Sequence, residues 1–82
     1  MNENPELMRA FGDEIQEKRK KLGLSQERLS LAAGLDRTFV WKVEQGKRNP
    51  SLESLFRIAA ALEIEPDELV RAVKEHISPI EH

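Results

Sequence analysis

The stretch LSQERLSLAAGLDRTFVWKVEQGKRNPS, residues 24–51, decides how this chain is read. It holds two short apolar-periodic segments joined by AGLD. Ser25 precedes the first and Asp36 the second, each placed to cap a helix with its side-chain oxygen. Leu24 with Leu29, and Leu35 with Val40, have the spacing of hydrophobic staples across those caps. Each segment is too short to be a stable helix by itself. The spacing therefore predicts two short helices held in place by the rest of the chain. Ala32, Ala33 and Gly34 are small where the helices must cross closely. Position 34 is also where the chain must turn, and glycine tolerates the positive φ of such a turn. Two short helices with this turn form a helix-turn-helix unit over residues 26–45.

Working outward, the flanking segments also read as helix. Apolar residues recur at three- or four-residue steps, β-branched alternation is absent, and Gly and Pro sit between the periodic segments. A first helix is expected from Pro5 to Leu22, with Leu7, Met8, Phe11, Ile15 and Leu22 as its apolar positions and Gly23 as its stop. Arg19 falls on that same apolar side. A fourth helix starts with Ser51 as cap and carries Leu52, Leu55, Phe56, Ala59 and Leu62. A fifth starts with Glu65 as cap and Pro66 at the first helical position, and Ile64 pairs with Leu69. The expectation is an all-α fold: a compact five-helix bundle, one domain spanning residues 1–82. Its core should draw on Phe11, Ile15, Leu22, Leu29, Ala33, Val40, Val43, Leu52, Leu55, Ile58, Ala59, Leu62 and Leu69.

The second helix of the unit has two unlike sides. At about 100° per residue, Phe39, Val40 and Val43 gather on one side. Arg37, Thr38, Trp41, Lys42 and Gln45 gather on the other. Arg and Lys donate to guanine, Thr donates or accepts, and an apolar group meets the thymine methyl, so this face suits a DNA major groove. The tryptophan in its centre either faces that groove or folds back over the preceding helix or Lys42, covering apolar surface. Lys42 suits a phosphate nearly as well as a guanine.

Charge distribution points the same way. The net charge is −2. Between Lys18 and Arg48, however, nine Lys or Arg stand against three Asp or Glu, a balance of +6, and the rest of the chain has a balance of −8. A basic working segment lies within an acidic frame. The plain alternative is a solvated surface with uneven charge.

Other chemistries have little to stand on. There is no cysteine, so no disulfide framework and no Cys-based zinc site is expected. His76 and His82 lack a metal-ligand pattern, and no cofactor is expected. No carboxylate pair lies on an apolar face near a His or Ser, so an enzyme is not expected. The apolar runs are far too short for a membrane span, and MNENPEL lacks the basic and apolar regions of a signal peptide. A cytoplasmic location without membrane association is the expected one.

With these residues in order, KRKKLGLSQERLSLAAGLDRTFVWKVEQGKRNPSLESLFRIAAALEIEPDEL resembles the phage-repressor-type (XRE) helix-turn-helix family over roughly Phe11 to Leu69. GLDRTFV and VEQGKRNPSLESL further resemble the controller proteins of bacterial restriction–modification systems. Those controllers often carry Tyr where this chain has Phe39, and small or acidic residues in place of Trp41 and Lys42. The resemblance implies that Gln26 binds a DNA phosphate, a role that a helix N-terminus also suits. It implies that Arg37, Thr38 and Lys42 reach base edges and that Lys47, Arg48 and Asn49 lie along the backbone. It also implies that Arg19 pairs with Glu44. Spacing supports that pair, because Arg19 lies on an apolar face and Glu44 follows Val40 by one turn.

One recognition helix reads only a few base pairs, so a homodimer on a palindromic operator is expected. The fifth helix shows Leu69, Val70, Val73 and Ile77, a wider apolar arc than a small core needs. With Phe56 and Ile64 it offers a two-fold interface, unless all of these fill the core. The controller resemblance implies regulation of the chain's own gene and of an endonuclease gene, with RNA polymerase as a partner in activation. A phage-type or developmental repressor, or an antitoxin-like interaction module, are the alternative readings.

Overall fold

A computed structural model describes residues 4–77 and contains five helices. They are α1 (Pro5–Lys21), α2 (Gln26–Ala33), α3 (Arg37–Glu44), α4 (Leu52–Ala61) and α5 (Pro66–Ile77), and no strand is present among the described residues. His82 and the start of the MNENPEL stretch lie outside these residues.

Helix starts follow the capping chemistry. The side chains of Ser25, Asp36 and Ser51 accept the backbone N–H groups of Arg28, Thr38 and Ser54 at 3.0, 3.0 and 3.1 Å. Asn4 caps α1 in the same way, accepting from Leu7 at 3.0 Å. At α5 the expected cap is replaced by its reciprocal: the Glu68 carboxylate reaches back to the Glu65 N–H at 3.1 Å. Gly34 turns the chain between α2 and α3 at φ +69°. The end of α4 closes through Glu63 at φ +61°, a left-handed conformation that disfavours a residue with a Cβ.

The principal pairings form a closed ring. α1 packs on α3 and α5, α2 packs on α3 and α4, and α4 packs on α5. Ile15, Leu29, Val40, Val43, Ile58 and Leu69 are the large side chains sealed at its centre. Leu22 and Leu52, expected in the core, are instead exposed by 44% and 73%. Each sits at the very end of its helix, Leu22 just past the last turn of α1 and Leu52 at the first position of α4, where the next layer of chain no longer covers it. Val73 is corrected in the opposite sense. Expected at a partner interface, it is buried within the core cluster and has almost no surface left to offer.

Two contacts that apolar periodicity does not report fix α1. Gly12 lies against the end of α3, where a Cβ would come within 2.5 Å of the Val43 carbonyl oxygen and 2.6 Å of that of Glu44. Glycine is a poor helix former, and here close helix approach outweighs that preference. At the other side, His76 Nδ1 of α5 lies 2.8 Å from Glu14 Oε2, and Lys18 donates to Glu14 Oε1 at 2.8 Å. Burial pushes the Glu14 carboxyl up, but the hydrogen bonds from Lys18 and His76 outweigh it and hold the group below its ordinary 4.5.

Gly12→Ala forces α1 and α3 apart and should lower stability by about 1–3 kcal/mol in denaturant unfolding; unchanged stability would contradict the close approach. Because the Glu14 carboxyl is depressed in the folded state, its contribution is complete above the ordinary 4.5 and is lost as pH falls through the lower folded value. Glu14→Gln should therefore be less stable than the parent at neutral pH, and the gap should narrow in acid. A gap that stays constant through that range would remove Glu14 from the account.

Candidate nucleic-acid interface

The position of α3 is set by its last residue. Glu44 accepts from Arg19 Nε at 2.7 Å and Arg19 Nη2 at 2.9 Å, and both side chains are largely or wholly removed from solvent. Gln26 Nε2 adds a bond to the same carboxylate at 3.0 Å and Gln16 Nε2 another at 3.4 Å. Arg19 Nη1 donates to the Leu24 carbonyl at 2.9 Å, which ties the α1–α2 turn into the same node. Fork-shaped pairing of this kind fixes orientation as well as distance.

With Val40, Val43 and Glu44 turned inward, the opposite side of α3 faces solvent. Arg37, Thr38, Trp41, Lys42 and Gln45 are all exposed there. Gln26, Arg37, Thr38 and Trp41 line one shallow concavity where the start of α2 meets this face. Gln26 differs from the sequence expectation in one respect. One of its amide hydrogens is committed to Glu44 rather than left for a phosphate, because the carboxylate is the nearest strong acceptor. Phe39 is only half-buried, packed against the core at its edge.

The loop after α3 carries Lys47, Arg48 and Asn49, all exposed. Lys47 Nζ lies 5.8 Å from the centre of the Trp41 ring, and Arg48 Cζ lies 5.3 Å from that of Phe39. Trp41, 42% exposed, shares its ring with a cation from the loop.

Among the described residues, three cations of α1 and α4 are tied into ion pairs, whereas Arg9, Lys20, Lys21, Arg71 and Lys74 are not. Lys18, Arg19 and Arg57 pair with Glu14, Glu44 and Glu53. Among the described residues, Arg28, Arg37, Lys42, Lys47 and Arg48 enter no salt bridge. Their charge is available to an anionic partner. The described residues contain no group of His, Cys, Asp or Glu arranged to hold a metal ion, and no helix is long and apolar enough to cross a membrane.

A family pattern described as "Helix-turn-helix" matches residues 15–69, from the middle of α1 into α5. The chain belongs to the helix-turn-helix family. It is of the XRE type, a class of DNA-binding transcription regulators, and restriction–modification controller proteins are among its relatives. Control protein C.MunI of a Mycoplasma species is 41% identical over 66 residues, which cover 79% of this chain and 89% of that protein. The crystal structure of the restriction–modification controller protein C.AhdI from Aeromonas hydrophila is 48% identical, with a TM-score of 0.74 over 76% of this chain and 94% of that one. The controller protein C.Esp1396I, solved as a tetramer in complex with its natural 35-base-pair operator, is 28% identical with a TM-score of 0.79, covering 87% of this chain and 93% of that one.

Gly12 and Gln16, which position α3, are not singled out by the apolar pattern of the sequence. Both lie on the α1 stripe that ends in Arg19, at spacings of four and three. The available signal was a small and an amide residue sharing a helix face with the arginine.

Removing the arginine leaves Glu44 buried and short of its main partner. Arg19→Ala should destabilise the domain by about 3 kcal/mol or more, measured by chemical unfolding. A loss below about 1 kcal/mol would mean that the pair is solvated and does not anchor α3.

Proposed function

We propose that this chain is a homodimeric transcription regulator that binds a palindromic operator in the major groove, in the manner of a restriction–modification controller protein. The observation that carries the reading is the solvent face of α3. Arg37, Thr38, Trp41 and Lys42 stand together there, with unpaired cations, while Arg19 and Glu44 hold the helix from behind. Arg37 and Thr38 read base edges, and Lys42 contacts guanine or phosphate. Lys47, Arg48 and Asn49 follow the sugar–phosphate backbone, as do the backbone N–H groups at the start of α2 and the remaining amide hydrogen of Gln26. The operator complex of C.Esp1396I supports DNA as the partner.

Dimerisation uses the far side of the ring. Phe56 and Val70 expose 54% and 49% of their surface, and Ile64 and Ile77 are half-buried against the core. Val70 shares an apolar groove with Leu7, Leu55 and Pro50. A second copy covering these side chains would place two recognition helices on one face of the duplex, about 34 Å apart or at a multiple of that spacing. The regulated genes are the chain's own and a neighbouring endonuclease gene, with activation through contact with RNA polymerase and repression by promoter occupancy.

Selection of binding sites from random duplex DNA tests the reading directly. The expected product is a palindrome whose affinity falls steeply with salt, as counterions leave the phosphates. Recovery of no enriched site would reject sequence-specific regulation. Phe56→Glu should yield a monomer with much weaker operator binding; an unchanged sedimentation profile would move the interface elsewhere.

A further inference from the structure

The loop after α3 is short and polar, yet it is held at several independent points. Its backbone is tied to α3 by the Lys47 N–H, which donates to the Lys42 carbonyl at 2.9 Å. Gly46, at φ +71°, lies against α1, where a Cβ would stand 3.1 Å from Arg9 Cα. The two cations that follow are each held over an aromatic ring of the recognition helix. Phe39 and Trp41 are two residues apart and so point about 200° apart around α3. Lys47 and Arg48, adjacent in sequence, therefore go to opposite flanks of the helix, Lys47 beside the solvent face and Arg48 beside the half-buried edge.

We infer that Phe39 and Trp41 are positioning residues for DNA binding, a two-sided aromatic brace that places the charges of Lys47 and Arg48 before nucleic acid arrives. The inference rests on the DNA-binding reading and deepens it. A ring face occupies one side of an ammonium or guanidinium and leaves other N–H groups directed outward. Those N–H groups are what a phosphate oxygen needs. Long basic side chains otherwise lose rotamer freedom on binding, and holding them in place beforehand removes part of that loss. The brace also divides the labour of the loop. Lys47 acts at the groove side, next to the base-reading residues, and Arg48 acts on the backbone at the outer flank.

The brace is tested first in the free protein. Lys47 side-chain protons should show an upfield ring-current shift by NMR that disappears in Trp41→Leu, and Arg48 side-chain protons a corresponding shift that disappears in Phe39→Leu. Because Trp41 is exposed, its replacement leaves the core intact. Affinity for a random-sequence duplex is measured next, for Trp41→Leu, Lys47→Ala and the double variant. Trp41→Leu should weaken binding by about two- to fivefold, the double variant should be no weaker than Lys47→Ala alone, and Trp41→Phe, which keeps a ring face, should bind as the parent does. Ring-current shifts that are absent from the parent overturn the brace, and so do single-variant losses that multiply in the double variant. Trp41→Phe binding as weakly as Trp41→Leu overturns it as well. If no form of the protein binds duplex DNA while the ring-current shifts are present, it is the DNA-binding reading that fails and not the brace geometry.

Discussion

The Glu44 carboxylate is the contact on which the rest of the arrangement depends. It lies at the C-terminal end of α3, where the helix macrodipole already concentrates negative charge. An unpartnered anion there, out of contact with water, would be strongly unfavourable. Arg19 supplies the compensating charge from the last turn of α1, where a cation is itself favoured. Gln16 and Gln26 complete the carboxylate's acceptor capacity. Three helices meet at one side chain, and the rotation of α3 about its own axis is settled by that meeting. Once Val40 and Glu44 face inward, one turn apart, Arg37, Thr38, Trp41 and Lys42 have no direction to take but outward.

The same stripe of α1 performs two different tasks. Gly12 removes bulk so that the Val43 and Glu44 carbonyls can come close, and Gln16 and Arg19 then reach the carboxylate one and two turns farther on. A larger residue at position 12 would lift α3 off α1 and lengthen every bond to Glu44. Steric allowance and charge pairing thus belong to a single device. α5 is held on the far side of α1 by Glu14, whose carboxylate joins His76 to Lys18. α1 is consequently fixed on both flanks, and the recognition helix rests on a rigid support rather than on its own eight residues.

The cations of the α3 surface and its loop, Arg37, Lys42, Lys47 and Arg48, form no salt bridge among the described residues. The cations that hold the scaffold are paired, whereas those around α3 are left open or held only over rings. Pairing with carboxylates would have neutralised the very field that draws a polyanion. An aromatic ring orders a cation without cancelling its charge. That difference gives Trp41 and Phe39 a place in an otherwise polar region.

Much of this was legible in the sequence because it depends on local rules. Ser25, Asp36 and Ser51 begin their helices through bonds that span two or three residues, and Gly34 turns the chain through its own backbone freedom. Helical periodicity placed Arg19 and Glu44 on inward faces before any partner could be seen. Other features were decided only when the helices met. Leu22 and Leu52 satisfy the apolar spacing yet stay exposed, and Val73 is claimed by the core, because burial depends on which neighbour lies over a helix end. Gly12 carries no signal in a pattern that counts apolar residues; its role exists only at the α1–α3 crossing. Trp41 was placed on the correct face by periodicity, but its pairing with Lys47 required the loop to fold back along α3. Local sequence sets where helices start, stop and face, whereas contacts between elements far apart in the chain require the packed fold, because only packing brings those side chains within reach.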